Sequence, residues 1–378
     1  MKKLMIAVST AQNTTNIIPA VQLNVDYFVF VETTGAAQKK WSVGAEQVLK
    51  NRGIEVLERI KLTKEENSRI DLIINKVQKF LERYNDFLIY WNAGGGQKPQ
   101  QFALFKLYLD RTKVGNKDIL CYANAENHKL EFWYVENDFL KYKADNINVN
   151  LNAKEIFTIF GKQANYNLDN IFFSDQKKIK YKNHNSFKLL ENSLFISYLK
   201  KWENNQHEVI EVKDKNLKRL LNQILEKNIE KISFRDFYNI ILSDQKKIEF
   251  LYEKFLVDRI YNFLTTTQNH ACFEAYYNVT IDDEKNRVAE YDVLIITKWG
   301  TVLALDAKTG KVKKKDIDAR IKNLREGAGR YIDFVVVVDE KDEERLKKLD
   351  ENKIKYITFY KFDDKIKDIE NYLREKLI

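Results

Sequence analysis

The chain has 378 residues, 44% apolar and 13% aromatic, with 64 Lys and Arg against 55 Asp and Glu, a formal charge of +9. That length exceeds one ordinary core and predicts two or three domains, and the apolar content excludes a disordered chain. Only two cysteines, Cys121 and Cys272, are present and they lie far apart, which excludes a disulfide framework and a zinc cluster.

The basic excess fits a polyanionic partner, because phosphate neutralisation releases counterions; it equally fits lysines that solvate surface helices. Sparse cysteine predicts a reducing, cytoplasmic setting. The apolar run after Met1-Lys2-Lys3 is too short for a signal peptide. No segment reaches the roughly 18 continuous apolar residues of a membrane span, so no membrane partner is expected.

In chain order, Leu4 to Thr10 reads as a buried strand, as do Tyr27 to Thr33 and Phe87 to Trp91. Helical periodicity fills Val43 to Arg52, Ile70 to Tyr84 and Phe102 to Leu109. This alternation predicts an α/β fold with parallel strands and helices on both faces. Ile119 to Ala123 and Glu131 to Val135 predict a closing antiparallel hairpin. Residues 141–240, rich in Asn and Lys, read as a connector with helices at Lys154 to Gly161, Phe187 to Trp202, Leu217 to Asn228 and Phe234 to Leu242. The last part, 241–378, changes order: a helix from Asp244 to Leu264, then strands Ala271 to Ile281, Arg287 to Thr297 and Thr301 to Ala307. A basic helix at Lys315 to Arg325 and strands Tyr331 to Val338 and Lys355 to Phe359 follow.

The chemistry concentrates in this last part. As strand residues i and i+2, Asp306 and Lys308 leave one face while Leu305 and Ala307 leave the other. Asp292 lies on the preceding strand of the meander, so two carboxylates can converge on one hard cation. Such a cation polarises a phosphate, and the lysine steadies an attacking water or developing charge. Oxygen ligands suit magnesium or manganese. Lys311, Lys313, Lys314 and Lys315, with Arg320, Arg325 and Arg330, can hold a phosphate backbone; the bland alternative is a solvated helix face.

Glu290-Tyr291-Asp292, thirteen residues, then Asp306-Ala307-Lys308 resembles the PD-(D/E)xK nuclease superfamily, with Tyr291 in place of its leading proline. The resemblance implies that Asp292 and Asp306 are metal ligands and that Lys308 is the catalytic lysine. Glu290, on the face of Asp292, is a further candidate; Glu274 and Glu253 are weaker ones.

In the first part, polar residues follow the strand ends, where α/β sheets build ligand sites: Ser9 to Thr15, Thr33-Thr34-Gly35 and Asn92 to Lys98. Gly94-Gly95-Gly96 lets backbone N–H groups approach an anion, with Lys98 supplying charge. Taken whole, the chain resembles CRISPR-associated Rossmann-fold (CARF) sensors fused to a PD-(D/E)xK nuclease, ancillary effectors of type III CRISPR defence. The resemblance implies a CARF domain at 1–140, connecting helices at 141–240 and a restriction-endonuclease-like domain at 241–378. It implies a homodimer that binds a cyclic oligoadenylate, most often cyclic tetra-adenylate, and cleaves single-stranded DNA or RNA and nicks duplex DNA with manganese or magnesium. By position, Thr10, Gln12, Asn92, Gly95, Gly96 and Lys98 would line the activator site. Trp41 reads as a core tryptophan, with adenine stacking as the alternative. Two other readings are a restriction or repair nuclease regulated by another nucleotide, and a non-catalytic regulator that only binds DNA.

Overall fold

The computed structural model describes residues 1–137, 139–205, 207–241, 249–283, 286–308, 313–338, 343–359 and 367–378. The first sheet comprises β1 (Lys3–Val8), β2 (Tyr27–Glu32), β3 (Glu55–Val56), β4 (Ile60–Lys61), β5 (Leu88–Asn92), β6 (Ile119–Asn124), β7 (Lys129–Glu136) and β8 (Phe139–Asn146). Its order is β3-β2-β1-β5-β6-β7-β8, with β4 also on β2. β1 pairs in parallel with β2 on one side and β5 on the other. The chain therefore reverses its direction of travel across the sheet between β1 and β5, which opens a crevice at their carboxyl ends. The predicted hairpin is present as β6 and β7, and β8 adds a third antiparallel strand that sequence periodicity did not indicate.

Helices α1 (Thr14–Gln22), α2 (Thr34–Gln38), α3 (Trp41–Asn51), α4 (Ile70–Leu81) and α5 (Lys98–Lys113) cover this sheet. β1 shows why both faces need cover: Leu4, Ile6 and Val8 pack on one side against Ile73, Val77 and Leu104, and Met5 and Ala7 on the other against Ile17 and Val48. Strand alternation with no polar face is the signature of a doubly covered sheet.

The segment read as a connector is built into the fold. Its α6 (Ala153–Ile159) is capped reciprocally by Asn152 and Glu155, and the Glu155 carboxylate also accepts from Arg52, just past the end of α3, at 2.5–2.7 Å. β9 (Gln163–Asn165) and β10 (Ile171–Ser174) pair with β13 (Cys272–Asp282). β13 continues into β14 (Arg287–Thr297) and β15 (Val302–Lys308) as an antiparallel meander, and β16 (Ile332–Val338) and β17 (Tyr356–Thr358) extend the sheet in parallel. A small antiparallel pair, β11 (Val209–Glu211) and β12 (Lys231–Ser233), sits among α7 (Ser193–Asn204), α8 (Lys215–Leu225) and α9 (Phe234–Ile241).

Then come α10 (Glu249–Thr266), α11 (Lys314–Ala328), α12 (Glu343–Glu351) and α13 (Ile369–Leu377). The expected helix start at Asp244 and the residues Leu242 and Lys311 lie outside the described residues. Val293, Ile295, Leu303 and Leu305 pack with α7–α10 and α13 on one side of the second sheet. Leu294, Ile296, Val302 and Ala304 pack on the other side, in one continuous core with α1, α3, α6 and the first sheet. The two sheets thus share a core. No helix among the described residues is long and apolar enough to cross a membrane.

Candidate active site and a cationic cavity

The β14–β15 ladder runs from Ile296 paired with Val302 to Val293 paired with Leu305. Beyond that point side chains replace backbone pairing. The Asp292 N–H donates to Asp306 Oδ1 at 3.4 Å, and the Ala307 N–H donates to Asp292 Oδ2 at 2.7 Å. Each carboxylate answers the opposite strand, and the two acids meet in the opening. Leu305 and Ala307 anchor the other face in the core, as strand alternation requires.

Lys308 Nζ lies 3.9 Å from Asp292 Oδ2 and 3.7 Å from Asp306 Oδ2. Asp306 is fully buried and Asp292 nearly so. Burial, and secondarily the neighbouring Asp306, push the Asp292 carboxyl up to about 7. Burial likewise raises Asp306, against the pull of Lys308 and Arg320. Burial makes the charge on both carboxylates costly, so the pair gains from positive charge placed beside it. All donors are oxygens, so the set fits magnesium or manganese, which keep several waters when one or two carboxylates hold them.

Arg320 of α11 also reaches this site: its guanidinium donates to Asp306 Oδ2 and, at 2.8 Å, to the Glu290 carbonyl. The sequence reading placed it on a phosphate-binding face; the structure turns it inward. The signal for this was present, since Ile317 and Leu324 are buried and Arg320 stands three residues after one and four before the other, hence on their face. Two hydrogen bonds join α11 to β14: Tyr291 Oη donates to the Arg320 carbonyl at 3.0 Å, and Asn323 Nδ2 donates to the Val288 carbonyl at 2.6 Å.

Glu290 does not join the pair. Its carboxylate is half-exposed and lies 3.4 Å from Arg287. Glu274 is buried elsewhere, accepting from Tyr276 Oη and Ser174 Oγ. Glu253 is half-buried on α10. Among the described residues no cluster of three or more His, Cys, Asp or Glu side chains could hold a metal ion.

The polar loops divide differently from the expectation. Thr10 and Gln12 line a cavity of about 1150 Å³ between the first sheet's loops, α6 and α11. Lys39, Lys40, Lys162, Lys322 and Arg325 give its wall a cationic character. Trp41 is half-buried at its edge with Lys39 Nζ 5.3 Å from its ring, and so is not a core tryptophan. Asn92 lies outside the cavity and acts as a buried tie: its Nδ2 donates to the Thr15 carbonyl and Asn16 Oδ1, and its Oδ1 accepts from the Gly94 N–H at 2.8 Å.

Gly95 and Gly96 press against the end of β1. A Cβ on Gly95 would lie 2.9 Å from the Val8 carbonyl oxygen, and one on Gly96, at φ +94°, would lie 2.8 Å from Val8 Cβ. These glycines serve close packing. Lys98 is exposed at the start of α5, away from the cavity.

No family model matches the sequence, and no curated protein matches it significantly. Solved structures do match. VC1899 from Vibrio cholerae superposes with a TM-score of 0.68 at 12% identity, over 99% of this chain and 96% of that one. Can2 from Sulfobacillus thermosulfidooxidans, in complex with cyclic tetra-adenylate, gives 0.65 at 13% identity, over 99% and 95%. A type III CRISPR defence DNA nuclease activated by cyclic oligoadenylate gives 0.55 at 10% identity, over 99% of this chain and 51% of that one. At such identities the likeness is one of fold, and it covers the full length: this is an α/β chain of two mixed sheets that shares its overall architecture with VC1899 and Can2.

Proposed function

We propose that the protein is a metal-dependent endonuclease of type III CRISPR defence, activated by a cyclic oligoadenylate. Residues 1–140 form the sensor, 241–378 the nuclease, and 141–240 join them. The observation that carries the reading is the meeting of Asp292 and Asp306 where the β14–β15 ladder opens, with Lys308 within 4 Å of both. Asp292 and Asp306 would hold magnesium or manganese, which supplies electrophilic polarisation of the scissile phosphate and activation of water. Lys308, on the partly open side of the acids, stabilises the charge that builds on the phosphate as water adds and the P–O bond to the leaving oxygen breaks. The substrate is DNA or RNA, and its backbone is met by exposed cations at the start of α11, Lys314 and Lys315.

The activator reading rests on the cavity. Its cationic wall, with Thr10 and Gln12 at the sheet's switch point and Trp41 at its edge, suits a polyanion that carries flat bases. An exposed apolar face formed by Val135, Leu140 and Tyr142 of the β7–β8 hairpin, where Leu140 and Phe105 of α5 line one shallow hollow, supports a homodimer. A ring with rotational symmetry is matched by an isologous pair, and pairing is the means by which Lys98, beside that patch, would reach it.

The test uses plasmid, single-stranded DNA and single-stranded RNA with manganese, with and without cyclic tetra-adenylate. Cleavage should require both metal and activator and should be lost in Asp306→Asn and Lys308→Ala, with thermal melting and activator binding retained. Undiminished cleavage by Asp306→Asn would remove the assigned site.

A further inference from the structure

Three observations on α11 combine. First, Arg320 occupies Asp306 Oδ2, the oxygen left once Oδ1 has accepted from the Asp292 N–H. A guanidinium stays charged at any accessible pH. It therefore vacates that oxygen only by moving, and while it stays a divalent cation meets a fixed positive charge at one of its two ligands.

Second, the same helix forms a wall of the cavity. Ile321, Lys322 and Arg325 line it, within two turns of Arg320. Third, the end of α11 is seated on the sensor. The Arg330 N–H donates to Gln12 Oε1 at 2.8 Å, and a Cβ on Gly329 would lie 2.6 Å from both Gln12 Oε1 and Phe160. A Cβ on Gly327 would overlap the Phe157 ring of α6 at 2.9 Å. Contacts this tight carry displacement, because packed interiors deform little.

We propose that Arg320 is a removable counter-ion that keeps divalent metal off Asp306, and that α11 is the lever by which an anionic ligand in the cavity withdraws it. The inference rests on the reading of Asp292 and Asp306 as a metal site. The ligand supplies the differential affinity that a switch requires, because phosphates draw Lys322 and Arg325 toward the cavity and turn α11 with them. Sensing then acts by opening a metal site whose other carboxylate, Asp292, is already in place. The sensor needs no contact with the nucleic acid.

The experiment measures manganese affinity by the paramagnetic resonance of free Mn²⁺, without nucleic acid, for wild type, Arg320→Ala, Arg320→Gln and Asp306→Asn. Each protein is taken with and without cyclic tetra-adenylate. Arg320→Gln keeps an amide for the Glu290 carbonyl and covers the case in which the alanine variant misfolds; melting curves report folding. Without ligand, both Arg320 variants should bind manganese about tenfold or more tighter than wild type, within the usual range of coupling between sites. Cyclic tetra-adenylate should tighten wild type by a similar factor and the Arg320 variants much less.

Manganese affinity in a folded Arg320 variant no tighter than wild type overturns the counter-ion role. Equal tightening by ligand in wild type and variants, or none in wild type, overturns the lever. Asp306→Asn separates these failures from that of the underlying reading: if it binds manganese as wild type does, the metal site itself is misassigned. If it loses binding while Arg320→Gln is unchanged, only the gate fails.

Discussion

Gly44→Ala tests the joint between the two halves, where α3 meets α6, in its simplest form. Gly44 sits within α3 against α6, and a Cβ there would lie 1.8 Å from the Thr158 carbonyl oxygen and 2.9 Å from its carbon, where ordinary contact begins at 3.4 Å. The obstacle is backbone, so no side-chain rotation relieves it, and the helices must part. Glycine to alanine inside a helix otherwise gains about 1 kcal/mol. Overpacking costs about 1–3 kcal/mol, and a clash with a fixed carbonyl belongs at the upper end, leaving a net loss on the order of 2 kcal/mol. In a chain of 378 residues that corresponds to a fall in melting temperature of roughly 2–3 °C. Scanning fluorimetry of the full chain measures it. Gly35→Ala is the control: it lies in α2 with nothing within 4 Å of its Cβ position, so only the helix gain applies and the melting temperature should hold or rise slightly. If Gly44→Ala melted at or above wild type while Gly35→Ala behaved as expected, the close α3–α6 approach would be wrong. Because Gly44, Thr158 and Ile159 all line the cationic cavity, the variant should also weaken activator binding.

The remaining predictions concern charge and surface. Burial and Asp306 hold the Asp292 carboxyl up to about 7, so below that pH a cation must displace a proton. Manganese affinity by calorimetry should therefore fall about tenfold per pH unit below neutrality and level off above it; affinity constant from pH 5.5 to 7 would show that no proton is displaced. The sign for stability runs opposite. A carboxyl raised above its unfolded value leaves the metal-free protein less stable as pH climbs from about 4 to 7, and added manganese should erase that loss in melting curves taken at both ends. Lys322→Glu with Arg325→Glu should weaken cyclic tetra-adenylate binding by about tenfold or more, and an unchanged dissociation constant would take α11 out of the ligand site. Leu140→Glu with Tyr142→Glu should give a monomer by light scattering, whereas an unaltered dimer would move the interface elsewhere.

What could be read in advance follows from what each element buries. β1, β2 and β5 are covered on both faces and leave unbroken apolar runs that periodicity detects. Asp306 and Lys308 were legible because Leu305 and Ala307 between and before them must face a core. β8 was not, because most of its residues are exposed and its Phe, Leu and Tyr alternate with lysines without a buried partner face. β9 and β10 are three and four residues long and pair with a strand a hundred positions away, so their identity as sheet strands lies in tertiary contact alone. The three glycines at 94–96 signalled an anion loop or a tight packing joint equally well, since both need the missing Cβ. Geometry supports the second at Gly95 and Gly96. The cavity needs residues from three distant stretches, around 10–13, 39–47 and 158–163, together with α11, and no local pattern could announce it.

The single core that runs from the first sheet through α6 into the second has a consequence for how the molecule can be taken apart. A cut anywhere between the halves would strip Leu151, Ile156 and Phe157 from one side or Tyr276, Leu294 and Ile296 from the other, baring a broad oily face on each piece. Neither fragment should be a well-behaved domain on its own, and heat should melt the chain in one cooperative step. Grafting a foreign first half onto this second half would accordingly require transplanting the mated surface as well, because the two are joined by an interior that both of them own.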